Sequence, residues 1–334
     1  MGKRLHDWFI ETWYGDTRRG AWLLPLAALF AAAAAVRRGL YRTGLLRSYR
    51  SPRVVVVVGN LTVGGAGKTP LAMWLAGELL RRGLRVGIAL RGYRGAHGDA
   101  RRVEDGDSAE DAGDEAVMVR RRMAIPVAVG RERAAAVRLL EPDCDVIVCD
   151  DGLQHYALAR DVEIEVIDGR RRYGNAEFLP AGPLREPVER AQRCDFRVVN
   201  LGGATPPAHV GAGFGEWPMR LLADTAMPVT GGRPRPLASF SGQRVHAVAG
   251  IGDPERFFGM LRGLGIAVVP HAFDDHHRYE AGDFEFGSRL PVLMTEKDAV
   301  KCGALANDDF YSVPVRAELP EAFWVALLSR LTRP

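Results

Sequence analysis

The 334 residues predict an α/β protein with a doubly wound, mostly parallel sheet, a second smaller α/β domain and an N-terminal membrane-associated helix. Three observations carry that expectation. Five consecutive valines, Val54 to Val58, lead into a glycine-rich loop and then a helical stretch. Beyond them, apolar runs of strand length alternate with helical patterns, the signature of parallel strands joined by crossover helices. Ahead of them, the 17 residues from Gly20 to Val36 carry no charge and are flanked by Arg18, Arg19, Arg37 and Arg38.

At 47% hydrophobic and 26% charged residues, the composition is that of a globular chain and excludes global disorder, collagen-like repeats and a multi-span membrane protein. Roughly 150 residues per domain suggests two domains. Cys144, Cys149, Cys194 and Cys302 form no CxxC pair, so a disulfide framework or zinc ribbon is not expected and a reducing compartment fits. The net charge of +4 is uneven. Residues 1–53 hold ten Lys/Arg against three acids, whereas the remainder holds 35 against 38. The broad basic face with interleaved aromatics that nucleic acid requires is not visible.

The uncharged segment would make a helix of about 26 Å, at the short limit for crossing a bilayer. Eight of its residues are Ala, and Trp8, Trp13 and Trp22 lie in or just before it. Trp beside Arg at an apolar boundary suits an interfacial anchor, and the basic flanks favour an anionic leaflet by about 1 kcal/mol per charge. A monotopic or single-span anchor within residues 1–50 is the expectation; a buried core helix and a cleaved signal peptide are the alternatives.

Val54–Val58 reads as a buried strand. Next come Gly59-Asn-Leu-Thr-Val-Gly-Gly-Ala-Gly-Lys-Thr69 and a helix from Pro70 to about Arg82. Strand, glycine loop ending in Gly-Lys-Thr, and helix make the context of a phosphate-binding loop, so the sheet is expected to be P-loop NTPase-like. Gly64, Gly65 and Gly67 free the backbone to aim N–H groups at phosphate oxygens, with Thr62 and Ala66 in the same loop, and the helix N-terminus adds positive potential. Lys68 can reach the outer phosphates, the Thr69 hydroxyl can ligate Mg²⁺, and Pro70 suits a first helical turn. The strict pattern wants Gly where this chain has Thr62.

Strands follow over 85–90, 125–129, 145–151 and 163–168, with a helix over 134–140. The apolar run 145–149 ends in Asp150-Asp151, a pair placed to hold Mg²⁺ directly or through water. The Pro- and Gly-rich stretch 225–236 reads as a linker, dividing a core over 51–224 from a smaller domain over 237–334. In that domain a strand near Val245 leads to a helix capped by Asp253 with Pro254 at its first position.

Five clusters together with the loop 58–70 resemble the tetraacyldisaccharide 4′-kinase, or lipid A 4′-kinase, family. They are Gly113-Asp-Glu115, Asp150-Asp-Gly-Leu-Gln-His155, Leu179-Pro-Ala-Gly-Pro-Leu-Arg-Glu186, Phe273-Asp-Asp-His-His277 and Thr295-Glu-Lys-Asp-Ala-Val-Lys301. The likeness runs from about Trp8 to Lys301, and the family's loop also accepts Thr at position 62. It implies an enzyme that moves the ATP γ-phosphoryl to the 4′-hydroxyl of a tetraacylated glucosamine disaccharide 1-phosphate, at the cytoplasmic face of the inner membrane. No obligatory protein partner is implied.

By that resemblance Asp114 is the proton acceptor, His276 its partner and Lys68 the phosphate ligand. Glu186 is a further carboxylate near the metal, Asn60 and Tyr93 are substrate contacts, and Arg133 is read either as a contact to phosphate or the substrate's acidic end or as a surface arginine. By composition alone, the stretch 104–115 around Asp114 reads as a charged loop. A carboxylate orients an imidazole and raises its proton affinity, so Asp114 and His276 can share the hydroxyl proton; their meeting would place the active site between the domains. The spacing of His271, His276 and His277 fits no zinc ligand set. Lys297 and Asp298 are read either as nucleotide contacts across the cleft or as a structural ion pair. Thr295-Glu-Lys-Asp298 lacks the spacing of a guanine-recognition motif. A partitioning ATPase and a soluble small-molecule kinase are the competing function classes.

Overall fold

The computed structural model describes residues 2–15, 20–92, 99–203 and 206–331. Helix α1 (Gly2–Tyr14) and helix α2 (Leu24–Arg42) precede the first sheet. The helix running from Ala21 to Arg42 is long and apolar enough to cross a membrane. Its root is held where Leu23 and Ala27 pack with Ala181, Trp8, Phe9 and Phe178. Trp22, Leu26, Leu29 and Val36 remain exposed, so α2 is not a core helix.

Strand β1 (Val54–Gly59) leads through the glycine loop into α3 (Lys68–Arg81). The chain continues through β2 (Val86–Leu90), β3 (Arg101–Arg102), α4 (Ala109–Ala112), α5 (Asp114–Met123), β4 (Val127–Val129) and α6 (Arg133–Leu140). Strands β5 (Val146–Asp150), β6 (Val162–Asp168), β7 (Phe196–Asn200) and β8 (Trp217–Leu222) complete its run. β1 lies between β5 and β6, parallel to both, with Val58 opposite Asp150 and Ile164. The chain moves outward from β1 to β2 on one side and later fills the other side with β6. The C-terminal end of β1 is therefore the topological switch point, where open α/β sheets bind ligands.

The valines divide by strand alternation. Val56 and Val58 face Leu71 and Leu75 of α3 and Val117 of α5, while Val55 and Val57 face Ala136, Val137 and Leu140 of α6. Helices thus cover both faces, as β-branched runs in parallel sheets require. The acidic stretch is ordered, contrary to its reading as a loop. Ser108 caps α4 in a reciprocal capping box with Asp111, and α5 begins at Asp114 itself. Negative charge in the first turn of α5 suits the positive end of a helix.

The second sheet contains β9 (Thr225–Pro228), β10 (Arg235–Pro236), β11 (Arg244–Ala249), β12 (Ala267–Ala272), β13 (Val292–Thr295) and β14 (Phe310–Val313). Its order is β10-β9-β14-β13-β11-β12. α7 (Pro254–Gly263) follows β11 and α8 (Glu296–Cys302) follows β13. Two corrections to the expected partition follow. The stretch 225–236 is no linker, because β9 pairs antiparallel with β14 and β10 pairs with β9. Nor does 237–334 form a unit of its own. After β14 the chain returns, β15 (Arg316–Glu318) pairing antiparallel with β8 as the edge of a nine-stranded first sheet. Helix α9 (Glu321–Leu331) then buries Phe323, Trp324 and Leu327 in the first core.

Candidate functional site

Gly67 ends the loop at φ +95°, and a Cβ there would lie 2.6 Å from Asn200 Nδ2, so conformation and space both demand glycine. Asn200, at the end of β7, donates to the Ala66 carbonyl at 2.9 Å and pins the loop to the sheet. Asn60 is buried, and its Nδ2 donates to the Gly64 carbonyl at 3.4 Å. It shapes the loop from within. Lys68 folds back over the turn, its Nζ 3.4 Å from the Gly64 carbonyl and 3.6 Å from Asp151 Oδ1. Gly64 and Gly65 are exposed and Thr62 and Ala66 buried, so the glycines present the loop's outer face.

At the end of β5, Thr69 Oγ1 donates to Asp150 Oδ2 at 2.6 Å. The other Asp150 oxygen, Oδ1, is buried and meets no donor among the described residues. Burial and the neighbouring Glu115 charge raise the Asp150 carboxyl to about 6, against the Thr69 hydrogen bond and Lys68. Asp151 is the opposite case. Burial raises its carboxyl, but Lys68, Arg185 and Arg133 together hold it well below the usual range. Arg185 donates to Asp151 at 3.0 Å, and Asp151 sits at φ +51°, a strained conformation typical of functional positions.

An unmatched, buried carboxylate oxygen beside a hydroxyl is donor chemistry that suits Mg²⁺. Among the described residues no three His, Cys, Asp or Glu side chains form a group able to hold a metal by themselves. Mg²⁺ commonly takes one or two protein ligands and completes its shell with phosphates and water, so Thr69 and Asp150 fit it. Glu186 needs a correction. Its carboxylate is engaged by Tyr156, by Gln154 at 3.3 Å and by Arg38 of α2 at 3.5 Å. Among the described residues it is linked to Asp151 through Gln154 and Arg185, which lie 3.4 Å apart.

Arg133 needs another. It is 1% exposed, and its guanidinium donates to the carbonyls of Gly130 at 3.0 Å and Asp150 at 2.8 Å. It fixes the end of β5 from behind and is not open to a substrate. Tyr93 lies outside the described residues. His155 is held neutral, burial and Arg133 lowering it to about 3.

Asp114 and His276 meet. His276 Nδ1 lies 2.8 Å from Asp114 Oδ2, and the second carboxylate oxygen accepts the Glu115 N–H at 2.9 Å. His276 stands at φ +63° in the loop after β12. Asp114 is 5% exposed. Burial raises its carboxyl, but the His276 hydrogen bond and the charges of Lys297, His276 and Lys301 prevail and the net shift is downward. The other two nearby histidines point elsewhere: His271 faces His246 at 2.9 Å, and His277 faces Asp283 at 2.9 Å. Sequence reasoning gave no role to Gln154, Arg185 or Asn200, although the first two stand inside quoted motifs. Asn200 had no sequence signal, being one polar residue at a strand end.

Comparison with known proteins gives the family of the chain. The family model described as Tetraacyldisaccharide-1-P 4′-kinase matches residues 19–332. A tetraacyldisaccharide 4′-kinase of Xanthomonas campestris pv. campestris (strain 8004) is 57% identical over 332 residues, covering 96% of this chain and 95% of the relative. One from Stenotrophomonas maltophilia (strain R551-3) is 56% identical over 325 residues, covering 96% of each. Among solved structures, LpxK from Aquifex aeolicus in complex with ATP matches with a TM-score of 0.78 at 28% identity, over 94% of this chain and 99% of that one. The loop, the paired aspartates and the joined Asp114 and His276 thus sit in a chain that belongs to the tetraacyldisaccharide-1-P 4′-kinase family.

Proposed function

We propose that this chain transfers the γ-phosphoryl group of ATP to the 4′-hydroxyl of tetraacyldisaccharide 1-phosphate, at the cytoplasmic face of an inner membrane, giving the bis-phosphorylated lipid A precursor. The observation that carries the mechanism is the 2.8 Å contact of His276 with Asp114. The Glu115 charge is felt at Asp150, so the two groups share one site. In-line transfer needs a cradle for the phosphates, charge neutralisation and a place for the hydroxyl proton. Backbone N–H groups of 64–67 and the start of α3 supply the cradle. Lys68 exchanges its contact with Asp151 for phosphate oxygens, and Arg185 remains to balance Asp151.

Mg²⁺, held by Thr69 and Asp150, supplies further neutralisation when bound. As the new O–P bond forms and the bond to the β-phosphate oxygen breaks, the hydroxyl proton passes to the Asp114 carboxylate, and ADP leaves. His276 orients that carboxylate and shares the incoming proton. Because Asp114 comes from α5 and His276 from the second sheet, the acceptor is complete only when the two sheets are apposed, which limits transfer to water.

The apolar outer face of α2 seats the enzyme on the bilayer. Arg37 donates to the Gln154 carbonyl at 3.2 Å and Arg38 pairs with Glu186 at 3.5 Å, so the anchor adjoins the site and an amphiphilic acceptor can reach it without leaving the membrane. The test compares ATP-dependent phosphorylation of tetraacyldisaccharide 1-phosphate in mixed micelles with that of a deacylated, water-soluble disaccharide. The lipid should be preferred by orders of magnitude and modified at the 4′ position by mass spectrometry; equal rates would assign the enzyme to soluble acceptors.

A further inference from the structure

Lys297 stands where the two sheets meet, 14% exposed and ringed by acids. Its Nζ lies 3.4 Å from Glu115 and 3.9 Å from Asp114, both on α5. From the other side it lies 3.1 Å from Asp275 and 3.5 Å from His276 Nε2, in the loop after β12. We propose that Lys297 is a positioning residue for the phosphoryl transfer, clamping the Asp114–His276 pair across the sheet interface and biasing its charge. The proposal rests on the reading of that pair as the proton acceptor.

The ground that carries Lys297 is rigid. Thr295 caps α8, accepting from the Asp298 N–H at 3.2 Å. Asp298, 0% exposed, accepts from the Gly250 N–H at 2.9 Å and the Thr295 hydroxyl at 2.6 Å. Lys301 pairs with Asp298 at 2.8 Å and acts on Asp114 less than Lys297 does, and Arg122 of α5 pairs with Glu296 at 2.7 Å beside them. Among the described residues, Lys297 is the cation that lies within 4 Å of both Asp114 and His276.

An ammonium has donors and no acceptor. Asp275 Oδ1 also faces Nε2 of His276, at 3.8 Å, but the ammonium is nearer at 3.5 Å and favours the tautomer whose proton sits on Nδ1, directed at Asp114 Oδ2. The same charge favours the ionised carboxylate. Burial lowers the Lys297 ammonium, but Glu115, Asp114 and Asp275 outweigh this and raise it, so it stays charged wherever the enzyme works. Three carboxylates around one lysine also mean that its loss leaves Asp114, Glu115 and Asp275 facing one another. Asp114 then holds its proton more tightly.

The test is the pH dependence of kcat/KM of the full-length enzyme with Mg-ATP and the lipid acceptor in mixed micelles. For Lys297→Met the acid limb should move to higher pH by about half a unit or more, with kcat at neutral pH down about tenfold or more and KM for ATP little changed. Lys297→Arg should restore the limb. Asp275→Asn, which keeps Lys297 and removes a negative charge at an exposed position, should move the limb to lower pH, and it decides the matter if Lys297→Met does not fold. Uniform loss of rate with an unmoved limb would overturn the proposal, as would an unmoved limb in Asp275→Asn. Asp114→Asn separates the two levels. If it keeps its activity, the proton-acceptor reading fails; if it is inactive while the limb stays fixed in the lysine variant, only the role of Lys297 fails.

Discussion

His276 Nδ1 lies 2.8 Å from Asp114 Oδ2 although the residues are 162 positions apart. One begins a helix of the first sheet and the other leaves an edge strand of the second. Asp114 is buried, His276 is strained at φ +63°, and their contact joins two layers.

Proton transfer through the pair gives the first expectation. Asp114→Asn and His276→Ala should each lower kcat by about 10²–10⁴-fold. Thermal unfolding and nucleotide binding, measured on the same variants, should change little.

Asp150 gives a stability expectation. Its folded carboxyl is raised from 3.8 to about 6, so the fold disfavours the ionised form. The resulting cost is absent below about pH 4, grows through the interval, and is fully present above about pH 6, where it amounts to about 2–3 kcal/mol. Metal-free Asp150→Asn should therefore melt about 2–5 °C higher than the parent at pH 7.5 and match it near pH 4. The gain should come with loss of phosphoryl transfer.

The return of the chain to the first sheet sets a third. Trp324 is 1% exposed and packs against Trp74 with ring centroids 6.1 Å apart. Trp324→Ala should cost about 3–5 kcal/mol, read by denaturant unfolding, and should loosen the first sheet although the residue follows the second in sequence.

Membrane attachment is best tested by substitution. Because Arg37 and Arg38 bond to Gln154 and Glu186, deleting residues 1–38 would disturb the site as well as the anchor. Trp22, Leu26 and Leu29 point outward. Changing all three to Ser should move the protein from the membrane fraction to the soluble one and leave ATP binding intact. Retention on membranes after that change would place the anchor elsewhere.

Local chemistry was legible in the sequence. The valine run, the glycine loop and the helix beginning at Lys68 form one continuous strand–turn–helix signal, and β5 announces itself as apolar residues ending in Asp150-Asp151. The meeting of Asp114 with His276 had no local signal and came from likeness to a family. Composition misled at 104–115, where the capping box of Ser108 and Asp111 outweighs the charge density. It misled again at 225–236, where Pro228 and Pro236 sit in short strands β9 and β10 that need few ladder bonds and the glycines lie in the connection between them. The return of β15 and α9 was invisible because a three-residue edge strand carries no periodicity. Arg133 shows a further limit: its residue type suggested a phosphate or substrate contact, yet it is buried and its guanidinium donates to the carbonyls of Gly130 and Asp150.

The most direct measurement follows label from [γ-³²P]ATP with tetraacyldisaccharide 1-phosphate and Mg²⁺ in mixed micelles, for the parent and for Lys68→Ala. Label should appear in the lipid, dependent on the acceptor, and the variant should lose transfer by orders of magnitude while remaining folded. Release of inorganic phosphate at the same rate with and without the lipid, and no labelled lipid, would contradict the account.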